Sequence, residues 1–325
     1  MQSSHVKTHT DGIWISSIQE KNIVKQLSQQ LMASGFESRC QTNDNFGYPY
    51  MYARNNLQVD CRVVDSVFFT NPEAWTDPDT IIITDNHPIN PVPGQMISVL
   101  PEFWSIWHFE PNYTDRPATC GYNCFMNRPR GDRSLTFYEL IKRNILAQGI
   151  VSYNCTLDEY EQEFVKAELD AYQPQHLHGK SLIPYNTVES HGTLEQCIID
   201  SRISLILETY VSDSHIVFSE KLFRCLQMPR PWLLYCSPGS IELLQAHGFD
   251  VLADYVDISY DQITTHGTRL QSILDQLETF IDRQYQAQDY LRFAQAAEHN
   301  RQLLQKFAQA WPSKLNHTLT QIQQL

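Results

Sequence analysis

Apolar residues come in short blocks separated by polar turns, and the blocks follow two rhythms. Continuous apolar runs of about four to eight residues read as buried strands, and apolar positions three to four apart read as helices. In the first part of the chain Ile13 to Ser17 reads as a strand. Asn22 to Ser34 has helical spacing through Ile23, Leu27 and Leu31, with Gly35 as its cap. Val63 to Thr70 and Gln95 to Leu100 read as strands, and Trp104 to Phe109 as a continuation of the sheet. Thr80 to Thr84 is almost purely β-branched, the pattern of a parallel strand covered on both faces.

The same alternation returns after a polar stretch holding Pro111 and Pro117, which reads as a linker. Tyr122 to Met126 predicts a strand and Ser134 to Gln148 an amphipathic helix, capped by Ser134 and closed by Gly149. Ile150 to Asn154 follows as a strand and Leu157 to Leu169 as an acidic helix. Ile203 to Leu207 and Trp232 to Tyr235 are strands, with helices at Glu220 to Gln227 and Ile241 to His247 and Gly248 as a cap. The Gln-rich tail is helical, with apolar spacing at Leu270, Ile273, Leu277 and Ile281. Strand–helix alternation on both sides of a linker predicts an α/β protein of two Rossmann-like domains with C-terminal helices. The expected divisions are 1–118, 119–285 and a helical tail at 286–325.

Composition narrows the function. The net charge of -13 disfavours a generic nucleic-acid binder. No apolar run approaches the roughly 18 residues of a membrane span, and MQSSHVKTHTDG lacks the apolar stretch of a secretory signal. The expectation is a soluble cytoplasmic protein with no membrane partner. Eight cysteines without zinc-like spacing fit free thiols. With only 12 glycines and no dinucleotide, Walker, nucleophile-elbow or zincin motif, those enzyme classes lose support.

Four constellations carry chemistry. Arg128, Arg130 and Arg133 lie between a strand and a helix, where backbone N–H groups and arginines together suit a diphosphate. A solvated loop paired with local acids such as Asp132 fits the same residues. Glu208 stands at the carboxyl end of a strand, followed by Ser219, Glu220, Lys221 and Arg224 at the start of a helix. A carboxylate there suits ribose hydroxyls and a lysine or arginine suits phosphate, although Ser-Glu is also ordinary helix-start chemistry. Asp85, directly after the β-branched strand, and Glu102 are candidate general bases; a turn-capping role fits Asp85 equally. Asp77-Pro78-Asp79 is a weak metal motif, and no metal site is expected.

Five segments carry a resemblance: PEFWSIWHFEP (101–111), YNCFMNRPRGDRSLTFYELIKR (122–143), ISLILET (203–209), FSEKLFRCLQMPRPWLLYCSPGSIELLQAHGF (218–249) and DISYD (257–261). Together they look like a glycosyltransferase-like family of phages, giant viruses and environmental viral sequences. A more distant likeness is to the α1,3-fucosyltransferases, whose strand-end Glu-Asn-Ser and following Thr-Glu-Lys match Glu208-Thr209 and Ser219-Glu220-Lys221. Thr209 stands where that family has Asn.

The resemblance implies a GT-B fold with a UDP- or GDP-sugar donor on the C-terminal domain and catalysis without a metal or other cofactor. Glu220 and Lys221 would hold ribose and phosphates, with Arg128, Arg130 or Arg133 as the upstream arginine. It further implies, as an acceptor, the hydroxymethyl group of 5-hydroxymethylcytosine in viral DNA inside an infected host cell. Lys142, Arg143, Arg283, Arg292 and Arg301 would then supply a local basic face. A glycan or protein hydroxyl is the alternative acceptor, and a non-catalytic binding protein on the same scaffold the alternative class.

Overall fold

The computed structural model describes residues 36–42, 49–55, 61–63, 81–84, 87–89, 97–126, 131–153, 185–186, 192–208, 211 and 215–323. The chain divides into two compact units, residues 1–106 with 304–325, and residues 107–303.

In the first unit β1 (Phe36–Thr42) and β2 (Pro49–Asn55) form an antiparallel pair, with Phe36 opposite Asn55 and Thr42 opposite Pro49. β3 (Cys61–Val63), β4 (Ile81–Thr84) and β5 (Ile97–Val99) form a parallel sheet with the isoleucine-rich β4 at its centre. The stretch expected to extend the sheet at Trp104 is instead a 3-10 helix, Pro101–Trp107. Pro101 has no N–H for a ladder and its fixed φ suits the first position of a helix. The expected elements at 13–17, 22–34 and 157–169 lie outside the described residues.

The second unit holds a five-stranded sheet built from β6 (Cys120–Met126), β7 (Gly149–Tyr153), β8 (Tyr185–Asn186), β9 (Ser201–Leu207) and β10 (Trp232–Tyr235). Its order is β10-β9-β6-β7-β8, parallel except for β8. The parallel strands are largely apolar and buried on both faces, as helix-covered strands are. Tyr122, Cys124, Ile203, Leu205, Leu233 and Leu234 are all buried.

The connections are α1 (Gly131–Lys142) after β6, α2 (Leu194–Asp200) before β9, and α3 (Glu220–Leu226) between β9 and β10. α4 (Ser240–Ala246) follows, then α5 (His266–Ile281) and α6 (Ala287–Gln323). α5 packs across β6, β9 and β10. Its expected stripe, Leu270, Ile273, Leu277 and Ile281, is buried there. Gly248 is left-handed just past α4, with φ 89°.

α1 departs from expectation at both ends. It begins at Gly131, so Ser134 lies inside it and its Oγ accepts from the Tyr153 hydroxyl at 3.1 Å. It ends at Lys142, and the left-handed residue beyond it is Asn144, with φ 56°. Gly149 is extended and opens β7. What demands glycine there is space, because a Cβ would sit 2.4 Å from the Tyr122 ring.

The segment from Trp107 to Pro117 belongs to the second unit and is tied to it by side chains. The fully buried Gln227 behaves like a strand neighbour. Its Nε2 donates to the Trp107 carbonyl at 2.9 Å and its Oε1 accepts from the Phe109 N–H at 3.2 Å. Gln196 does the same to Thr114, at 3.0 and 3.3 Å. Arg230, 1% exposed, donates to the carbonyls of Arg116, Ile199 and Pro229 and lies over the Tyr290 ring.

Candidate functional site

The order β10-β9-β6-β7-β8 fixes where a ligand fits. From β6 the chain crosses to β7 on one side, and from β9 it crosses to β10 on the other. The connections therefore diverge beyond the carboxyl ends of β6 and β9, the crevice in which open α/β sheets bind ligands.

Four of the expected residues form one hydrogen-bonded chain beside that crevice. Glu208 directly follows β9 and is only 2% exposed. Its Oε1 accepts from the Ser219 N–H at 2.9 Å and its Oε2 from the Ser219 hydroxyl at 2.5 Å. Ser219 is the N-cap of α3, as its type predicts, accepting from the Lys221 N–H at 3.4 Å. The Lys221 ammonium donates to Ser219 Oγ at 3.2 Å and to Glu220 Oε1 at 3.1 Å. The Lys221 side chain is 21% exposed, so this cation reaches solvent from a partly covered position. Burial alone would raise the Glu220 carboxyl. Lys221 outweighs it by charge and hydrogen bond, helped by Arg224, and holds Glu220 below the usual carboxylate range.

Arg133 comes to the same strand end from α1. It is 2% exposed, and its Nη2 lies 3.5 Å from the Leu207 carbonyl oxygen. Arg224 is not part of this group. Its guanidinium pairs with Glu195 of α2 and sits 5.6 Å from the centre of the Phe109 ring. Glu195 and Phe109 were not legible as its partners, because the pairing spans distant segments with no local spacing rule. Glu102 lies in the first turn of the 3-10 helix of the first unit. Arg128, Arg130 and Asp85 lie outside the described residues, as does Asp77-Pro78-Asp79.

The cations named for a nucleic-acid face are engaged within the chain. Arg143 pairs with Asp275 at 2.8 Å and Glu278 at 3.0 Å, and Lys142 with the buried Glu139 at 3.2 Å. Arg292 binds Asp250 at 2.7 Å and Asp254 at 2.9 Å, and Arg301 binds Glu298 at 2.6 Å. Arg283 lies over the rings of Phe280, Tyr255 and Tyr285.

Cys120, Cys124, Cys197, Cys225 and Cys236 are free thiols. Burial pushes Cys124, Cys225 and Cys236 up to about 12 and Cys197 up to about 11. They stay protonated at neutral pH and are poor nucleophiles. Among the described residues no three His, Cys, Asp or Glu side chains are grouped to hold a metal ion. No helix among them is long and apolar enough to cross a membrane. The chain matches no known protein family, no curated protein and no solved structure. What the arrangement offers chemically is a partly covered ammonium and a buried guanidinium at the same strand end. That environment suits a phosphate or diphosphate.

Proposed function

We propose that the second unit holds the diphosphate of a nucleoside-diphosphate sugar and that the protein is a glycosyltransferase acting on a hydroxyl acceptor. One observation carries the reading. Lys221 and Arg133 converge on the carboxyl end of β9, beside the point where the sheet's connections diverge. A leaving diphosphate gains negative charge as the sugar departs, and cations already in position stabilise it without reorganising. Lys221 would exchange Glu220 for a phosphate oxygen, and Glu220, 46% exposed, would be freed to meet a ribose hydroxyl. The acceptor's base is proposed at Asp85 or Glu102. The resemblance stated for the sequence implies the same chemistry and a GT-B arrangement.

For the acceptor, the carboxylate pairing of Arg143, Arg292 and Arg301 favours a glycan or protein hydroxyl over 5-hydroxymethylcytosine in DNA. Binding the DNA backbone needs cations free to neutralise phosphates. The test is a transfer assay with a panel of UDP- and GDP-sugars, read by mass spectrometry. Its acceptors are glycans, peptides and DNA with and without 5-hydroxymethylcytosine. A sugar-sized mass gain on one acceptor class establishes donor and acceptor together. Tight donor binding without transfer or hydrolysis would leave a binding protein. Absence of any nucleotide binding would overturn the reading.

A further inference from the structure

We infer that Glu208 is a positioning residue: it orients Ser219, and Ser219 in turn holds the Lys221 ammonium in the anion site. This rests on the reading above and revises the role expected of Glu208, a direct contact to ribose. A serine hydroxyl has one proton to give and two lone pairs to receive. The carboxylate of Glu208 accepts only, so the Ser219 proton must point at it, over 2.5 Å. The oxygen then turns its lone pairs away from Glu208, where the Lys221 N–H and Nζ donate to it at 3.4 and 3.2 Å. The second Glu208 oxygen fixes the Ser219 backbone, at 2.9 Å from its nitrogen.

Glu208 is therefore turned toward Ser219 by both oxygens and is 2% exposed, whereas Lys221 reaches solvent. A charge-assisted bond between neutral donors and a buried carboxylate is stronger than a neutral pair. It holds the start of α3. The buried negative charge also stands one hydroxyl away from Lys221, which favours an ammonium held at that spot.

Glutamine at 208 keeps the shape and reverses the sense of one bond. Its NH2 group would donate to Ser219 Oγ, and a lone pair now serving Lys221 would be taken. The experiment compares Glu208→Gln, Ser219→Ala and Lys221→Ala by calorimetric titration with inorganic pyrophosphate and, separately, with UDP and GDP. Pyrophosphate has no ribose. If Glu208 positions Lys221, Glu208→Gln weakens pyrophosphate and the nucleotides alike, by about tenfold. Ser219→Ala does the same, and neither change costs anything further when Lys221 is already alanine. If Glu208 touches ribose, its glutamine variant weakens UDP or GDP and leaves pyrophosphate untouched, and the inference fails.

Effects that persist undiminished in the Lys221→Ala background overturn it as well, while leaving the anion site standing. Should the wild-type protein bind none of the three probes, the proposed function falls. The positioning role is then decided without ligand by hydrogen exchange at the Lys221 amide. Exchange about tenfold faster in both Glu208→Gln and Ser219→Ala supports the role, and exchange at the wild-type rate in either contradicts it.

Discussion

One strand, β9, carries a buried carboxylate at each end, and the two are satisfied in different ways. Asp200, fully buried, stands just before it, and Glu208, 2% exposed, just after it. Asp200 meets a full positive charge: Arg116 grips it with Nε and Nη2, and Gln196 adds a bond at 2.8 Å. Glu208 is held instead by the N–H and O–H of Ser219, with Lys221 one hydroxyl further on. The amino end of the strand is thereby closed by an ion pair that ties residues 107–119 to the sheet. At the carboxyl end the nearest ammonium remains partly exposed. A cation committed to a buried carboxylate has little left for a ligand, whereas Lys221, held by the Ser219 oxygen and the exposed Glu220, can exchange its solvent-facing partner for one.

The largest effect is expected at the open end. Lys221→Ala should weaken nucleotide binding by about 100-fold, in line with loss of a charge-assisted contact, and leave thermal stability close to wild type. Competition binding and differential scanning fluorimetry read the two quantities. At the closed end the pattern inverts. Asp200→Asn should lower Tm by roughly 2–8 °C, because it removes one charge-assisted acceptor from a buried site. Nucleotide affinity should not change. A variant that altered both quantities would erase the distinction between the ends.

Acid should act on stability through His215. His215 lies on the path from β9 to Ser219, and burial holds it down at about 4, against 6.5 when unfolded. A histidine with a lowered folded pKa is fully compatible with folding above its unfolded value. As pH falls from about 6.5 to about 4 the unfolded state takes up the proton and the folded state resists it, so stability is lost across that window. Unfolding monitored from pH 7.5 to 4 should show this loss, and His215→Gln should flatten it. The smallest effect is expected from Arg224→Ala. Because Glu195 already engages that guanidinium, nucleotide affinity should change by less than about threefold in the titration.

Much of the second unit was legible in the sequence because local signals and the fold agree. β10 matches its apolar run, α3 begins where Ser219 predicts, and Glu208, Ser219 and Lys221 do come together. Errors arose where a residue answers to tertiary space. Gly149 looked like a helix cap but is small to admit the Tyr122 ring, and the turn is made by Asn144. The Pro111–Pro117 stretch has linker composition, and Gln196 holds its Thr114 across 82 residues, a partner that no local pattern encodes. The β1–β2 hairpin was unread because FESRCQT and PYMYARN are too polar to announce strands. Charge counting does not reveal pairing: Lys142, Arg143, Arg292 and Arg301 look basic in sequence and are matched by acids in the fold.

The most direct test is an amide chemical-shift titration of the full chain with UDP and then GDP. Shifts concentrated at Arg133, Glu208 and Ser219 to Lys221, and absent around Asp200, are the predicted result. Shifts clustered elsewhere, or none at saturating nucleotide, would contradict a phosphate site at the carboxyl end of β9.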